Sequence, residues 1–235
     1  MPRDALLVVE NLSKRFGALK ALDGLTLALS AGEIVGLVGP NGSGKTTAIN
    51  VISGVYAPDG GEVRFNGESV GGWPIHRLAR RGINRTFQVP KPFKGLSVRD
   101  NLKVAAVHCG AGEEKMDQYL ELLQLDSLVE REASSLNSAQ QKQLDLARAL
   151  VTRPKLLLVD EVGAGLNPGE LQHMADILKE VARSGVALMV VEHLLGFLQE
   201  LTQRVVVMNA GREIFEGPLE AAARDPKVID VFLGS

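Results

Sequence analysis

Gly39-Pro40-Asn41-Gly42-Ser43-Gly44-Lys45-Thr46 is the stretch that decides how the rest of the chain is read. It fits G-x-x-x-x-G-K-[ST] at every fixed position. A triphosphate needs several hydrogen-bond donors converging on it. Glycines let backbone N–H groups approach the phosphates and permit positive φ, and a helix starting at the loop adds its positive end. Lys45 is expected to put a point charge on the β and γ phosphates. The Thr46 hydroxyl is expected to ligate Mg²⁺, which prefers oxygen. Asn41, Gly42, Ser43, Gly44 and Thr47 complete the expected nucleotide-binding set. The flanks agree: Ile34 to Val38 is a continuous apolar run, as in a strand buried on both faces, and Lys45 to Ser53 reads as a helix. The motif predicts nucleotide binding and leaves kinase, GTPase and transport ATPase open.

A second motif lies over a hundred residues downstream. Leu156-Leu157-Leu158-Val159-Asp160-Glu161 is an apolar strand ending in paired acids. In α/β sheets the C-terminal ends of strands are where ligands bind. Asp160 is expected to hold Mg²⁺, directly or through water, while Glu161 points elsewhere and polarises an attacking water.

Around these motifs the chain divides by pattern. The N-terminal third is β-rich, with short apolar strands at Leu6 to Leu12 and Leu22 to Leu29. Glu62 to Phe65 then runs into Asn66-Gly67, a hairpin-turn signal. The middle is helical: Pro74 to Arg81, Val98 to Val107, Glu113 to Leu123 and Ala139 to Val151, the last two with apolar residues three or four apart. The C-terminal part alternates again. Strands are expected at Leu156 to Val159, Val186 to Val191, Arg204 to Met208 and Glu213 to Phe215, with helices at Gly169 to Arg183, Leu194 to Leu201 and Asp225 to Leu233. Alternation of this kind argues for a parallel sheet covered on both faces.

Composition narrows the function classes. The 235 residues are 45% hydrophobic and 23% charged, enough apolar material for a substantial core and too little charge for disorder. A formal net charge of −2 argues against binding nucleic acid or lipid through bulk charge. The single cysteine, Cys109, excludes a disulfide framework and fits a reducing cytosol. Met1 to Glu10 shows no secretory leader, and no apolar run reaches the ~20 residues of a membrane helix. Val186 to Leu198 is broken by Glu192 and His193. A membrane role has to come through a partner.

With both motifs placed, the chain resembles the ABC transporter ATPases over nearly its whole length. Phe16 stands where that family places an aromatic that stacks on adenine. Gln88, in Thr86-Phe87-Gln88, matches a glutamine that reaches metal and water and senses the membrane subunit. Leu136-Asn137-Ser138-Ala139-Gln140 occupies the signature position, and Gly165-Leu166-Asn167 that of a dimer-contacting loop. His193 follows an apolar strand, as the family's switch histidine does. His76, His108 and His173 have no such placement and read as surface or packing residues. Within the family, Thr86-Phe87-Gln88, Asp160-Glu161-Val162-Gly163-Ala164-Gly165-Leu166-Asn167-Pro168 and Val190-Val191-Glu192-His193 look like the branched-chain amino acid uptake branch.

The resemblance implies an α/β fold of the P-loop NTPase kind. It would have a mixed, largely parallel core sheet, an N-terminal antiparallel β subdomain and a helical subdomain. Residues 1–87 and 154–235 would form the nucleotide-binding core, and 88–153 the helical part that carries the signature, in one domain over 1–235. It also implies ATP hydrolysis with Glu161, His193, Gln88 and Lys45 as catalytic groups. Thr46, Gln88 and Asp160 would be the metal ligands. Asn137, Ser138, Ala139 and Gln140 would contact ATP held by a second ATPase subunit. The implied partners are transmembrane permease subunits and that second ATPase, with an external binding protein reached only indirectly and no nucleic acid. The implied location is peripheral, on the cytoplasmic face of the membrane. A soluble ABC ATPase without a membrane partner, an exporter of the lipopolysaccharide type and a small-molecule kinase are the alternatives. The chain lacks the long inserts, zinc-type cysteine pairs and coiled-coil repeats of many soluble relatives, and a kinase leaves the signature-position helix and His193 unexplained.

The signature departs from the usual Leu-Ser-Gly-Gly-Gln. Asn137 replaces serine, and Ser138 and Ala139 replace both glycines. Asn137 remains a good N-cap and a donor, but the glycines' freedom is gone. The ATP site completed by this segment is therefore expected to be the weaker of an unequal pair.

Overall fold

The computed structural model describes residues 5–110, 112–113, 115–202 and 204–233. Residues 1–4 of the segment read for a leader, and Glu114 within the expected Glu113–Leu123 helix, lie outside them. Along the chain come β1 (Leu7–Phe16), β2 (Leu19–Leu29), β3 (Ile34–Val38), α1 (Lys45–Ile52), β4 (Gly60–Phe65), β5 (Glu68–Ser69), α2 (Ile75–Arg81) and β6 (Ile83–Arg85). Then follow α3 (Val98–His108), α4 (Met116–Leu122), α5 (Ser138–Val151), β7 (Leu156–Asp160) and α6 (Pro168–Arg183). The chain closes with β8 (Ala187–Val191), α7 (Leu195–Leu201), β9 (Arg204–Asn209), β10 (Arg212–Pro218), α8 (Leu219–Ala222) and α9 (Pro226–Leu233).

Among the described residues the strands form two sheets. One is antiparallel, in the order β2-β1-β4-β5; the other has the order β10-β9-β3-β8-β7-β6. In the second sheet β9, β3, β8, β7 and β6 run parallel, and only β10 is antiparallel, on β9. The core sheet is thus mixed and largely parallel, as the resemblance implies; the alternation of strands and helices predicts only the parallel part.

Strand periodicity divides the core between the faces of this sheet. Leu156, Leu158, Ala187, Met189 and Val191 pack with α1 and the antiparallel sheet. Leu157, Val159, Leu188 and Val190 pack on the other side with α3, α5, α6 and α7. Successive side chains point to opposite faces, so a strand covered on both must be apolar at every position, which β7 and β8 are up to Asp160. Leu188 is wholly buried on the central strand β8. Leu188→Ala should cost about 2–5 kcal/mol, seen as a lower urea midpoint with an unchanged slope. A midpoint equal to the parent's would contradict this packing.

The structure differs from expectation at element ends. β1 runs on to Phe16 instead of stopping near Leu12, and β2 begins at Leu19, so the two form a longer hairpin. Register shifts after Val9, with Asn11 at φ 50°, break the alternation that would have marked the extension as a strand. The Asn66-Gly67 turn does close a hairpin, but its second strand is only Glu68–Ser69. β6 was not anticipated: its three residues pair with β7 at the sheet edge, too short for a period to show. α4 is shorter than expected, Met116–Leu122. Among the described residues no helix is long and apolar enough to cross a membrane.

Candidate active site

Strand order brings the two motifs together. β8 lies between β3 and β7, with Leu37 and Asp160 both in register with Val191. The loops leaving these three parallel strands therefore emerge side by side. They carry the glycine-rich stretch, the acid pair and His193.

The glycine-rich loop is shaped by backbone that other residues would not accept. Gly39 has φ 149°, and a Cβ there would lie 2.2 Å from the Met208 carbonyl oxygen. Gly44, the residue before α1, has φ 106°, and its Cβ would lie 2.6 Å from the Ala21 carbonyl oxygen. Lys45 is buried under this turn. Its Nζ donates to the carbonyls of Gly39 at 2.7 Å and Pro40 at 2.9 Å. Burial pulls the Lys45 ammonium below the usual lysine range, and the carboxylates of Glu161 and Asp160 oppose that.

A cleft of about 460 Å³ opens over the loop. Asn41, Gly42, Gly44, Lys45, Thr46 and Thr47 line it from one side, and Glu161 and His193 from another. Phe16 forms part of the wall, packed edge-on against Tyr56 with ring centroids 5.1 Å apart. Ser43 is buried in the turn. The space could take a nucleotide with its phosphates toward Lys45 and its base toward Phe16.

Glu161 is held between two neighbours. Its Oε2 accepts from Gln88 Nε2 at 2.5 Å, and its Oε1 is 3.1 Å from His193 Nε2. Gln88, Glu161 and His193 leave the sheet after β6, β7 and β8, so the side-chain row repeats the strand order. Asp160 turns the other way. It is buried and ion-paired with Arg85 at 3.2 Å. Burial pushes its carboxyl above the usual range, and the Arg85 guanidinium works against the shift.

Thr46, Gln88 and Asp160 supply hydroxyl, amide and carboxylate oxygens, a hard donor set that suits Mg²⁺. Among the described residues no group of three or more His, Cys, Asp or Glu gathers to hold a metal.

The signature-position residues lie elsewhere. Asn137 caps α5: its Oδ1 accepts from the Gln140 N–H at 2.9 Å, and Gln140 Oε1 accepts from the Asn137 N–H at 3.0 Å. Asn137, Ala139 and Gln140 border a second, polar hollow beside Asn167 and Glu170, and Ser138 is the first residue of α5. The fold does not bring these four residues to the chain's own glycine-rich loop. His76, His108 and His173 do not line the cleft either.

Several charged residues behind the site carry no clear signal in the sequence. Arg85 reaches Asp160 and also donates to Asn50 Oδ1 on α1 at 2.6 Å. Asp145 on α5 accepts from the Phe87 N–H at 2.8 Å, tying that helix to the segment carrying Gln88. Burial pushes the Asp145 carboxyl up. One signal was available: Asp145 stands between Leu144 and Leu146 in a helix with a buried face, and a buried charge needs a partner. Its partner could not be read from the sequence.

Comparison with known proteins gives one consistent picture. A family model described as "ABC transporter" matches residues 22–164. A probable branched-chain amino acid transport ATP-binding protein LivG of Archaeoglobus fulgidus is 39% identical, over 98% of this chain and 96% of its own. The high-affinity branched-chain amino acid transport ATP-binding protein BraF of Pseudomonas aeruginosa is 34% identical, over 97% and 98%. Among solved structures, a nucleotide-free ATP-binding cassette from an ABC transporter superposes with a TM-score of 0.90 at 33% identity, covering 98% of this chain and all of that one. An ATP-binding cassette in its ADP conformation gives 0.89 at 33% identity, over 98% and 99%.

Proposed function

The chain belongs to the ABC transporter ATPase family, and from that premise we propose that it powers uptake of branched-chain amino acids through a membrane permease. The reading of the site rests on one observation: Glu161, held by Gln88 and His193, shares a cleft with Lys45 and Thr46. The substrate assignment draws its support from the transport ATP-binding proteins that match nearly the full chain.

Each residue takes a part of the work. Asn41, Gly42, Ser43 and Gly44 cradle the phosphates, and Thr47 follows them at the start of α1. Lys45 moves its charge from the Gly39 and Pro40 carbonyls to the β and γ phosphates. Phe16 stacks on the adenine. Thr46, Asp160 and Gln88 would hold Mg²⁺, which when bound neutralises charge shared between the β and γ phosphates. Glu161 accepts hydrogen bonding from the attacking water, and His193 and Gln88 fix its carboxylate. The work is mostly positioning and electrostatics, as expected for phosphoryl transfer.

In this proposal two ATPase subunits close on two ATP molecules. Asn137, Ser138, Ala139 and Gln140 face the ATP of the second subunit. Residues 88–153 act as the lever, and the segment at Gln88 passes closure to the permease on the cytoplasmic face. Co-purification from a detergent extract tests the partner: a polytopic membrane protein is expected with the chain, and recovery without one would contradict the transport role.

The altered signature makes a further prediction. Asn137 has its oxygen committed to the Gln140 N–H, and Ser138 and Ala139 would reach glycine's left-handed conformations only at a cost in strain. Losing one charge-assisted hydrogen bond to the phosphate costs about 1.5–3 kcal/mol. Asn137→Ser should raise turnover of the assembled transporter by about tenfold or more; unchanged or slower turnover would count against the weak-site assignment.

A further inference from the structure

We propose that Lys142, in the second turn of α5 and outside the cleft, is a positioning residue that holds the Glu161–Ala164 turn and so aims the Glu161 carboxylate. The inference rests on Glu161 being the group that polarises water.

Lys142 is buried, 7% exposed, on a helix where a neutral residue would cost less. Its ammonium is spent on backbone. Nζ donates to the Val162 carbonyl at 2.9 Å and to that of Ala164, and lies 3.5 Å from the Glu161 carbonyl. On the opposite polarity, Glu192, 2% exposed, accepts from the Gly163 N–H at 2.6 Å. The turn is gripped by a cation at its carbonyls and by an anion at its N–H. Burial pulls Lys142 down and pushes Glu192 up, while each favours the charged form of the other.

The turn needs such a grip. Glu161 has φ 48°, a left-handed conformation that non-glycine residues hold only where the surroundings over-determine it. Its N–H is tied to the Val191 carbonyl at 2.9 Å. Beyond it the turn closes on one long backbone bond, from the Ala164 N–H to the Glu161 carbonyl at 3.4 Å, and the Val162 and Ala164 carbonyls are held by Lys142. A relaxed turn would swing the carboxylate away from Gln88 and His193. The same helix also holds the Phe87 N–H through Asp145. α5 thus supports both members of the Gln88–Glu161 pair, and it is capped by Asn137, in the segment proposed to meet the second subunit's ATP.

A double-mutant cycle on the full-length chain tests this, with MgATP hydrolysis as the readout. Lys142→Met, which keeps the length and removes the charge, should lower kcat at least about tenfold with KM within about twofold. Lys142→Arg should keep most of the parent kcat. In a Glu161→Gln background, Lys142→Met should cause no further loss, because its effect passes through Glu161. An equal fold-loss in both backgrounds would overturn the inference, as would a Lys142→Met kcat within about twofold of the parent. If Lys142→Met does not fold, Lys142→Arg decides: a variant that melts normally but loses kcat about tenfold overturns the positioning role. Wild-type-like hydrolysis by Glu161→Gln alone would instead remove the premise about Glu161.

Discussion

Glu161→Gln should bind MgATP as tightly as the parent and hydrolyse it about 10²–10⁴ times more slowly. The substitution is nearly isosteric. Gln88 Nε2 can still donate to the remaining side-chain oxygen, and the nucleotide-facing wall at Lys45 and Thr46 is untouched. What is lost is the charge that would accept the water's proton. Because Glu161 does not form the phosphate cradle, affinity and rate should separate. A variant hydrolysing at the parent rate would take Glu161 out of the reaction; one that lost binding too would make it part of the nucleotide's cradle.

Lys45→Ala should abolish the rise in melting temperature that MgATP gives the parent. Ligand at about a hundred times its Kd stabilises a protein by about 2.7 kcal/mol, so the parent shift should be several degrees. In the structure the Lys45 ammonium is buried and held by two loop carbonyls, beside where phosphates would sit. A melting scan with and without MgATP reads the difference directly. Any change in the unliganded melting point cancels in that difference. A variant whose melting point still rises as the parent's does would contradict the role of Lys45.

Much of this was legible in the sequence because it is local. The loop from Gly39 to Thr46 and the strand ending at Asp160-Glu161 are contiguous, and each carries its own context of strand and helix. The apolar runs of β3, β7 and β8 required a sheet covered on both faces. The row Gln88–Glu161–His193 was not legible as geometry. It depends on β8 inserting between β3 and β7 and on β6 pairing at the edge, and a three-residue strand has no readable period. Arg85, Lys142, Asp145 and Glu192 were missed for a related reason. Each is a charge, buried or, for Arg85, half-buried, whose partner lies far along the chain. Burial of a charge can be suspected from an apolar neighbourhood, but its partner is settled only by packing. The extension of β1 to Phe16 was hidden by a bulge.

On this reading one triphosphate spans the space between the turn ending at Thr46 and the acids at the tip of β7. A crystal structure of the Glu161→Gln chain with MgATP would show it. Lys45 Nζ should be found on the β and γ phosphates, with Thr46 and Asp160 on the metal and the substituted amide at position 161 facing the γ phosphate. A nucleotide bound elsewhere, or Lys45 still on the Gly39 and Pro40 carbonyls with no phosphate in reach, would contradict it.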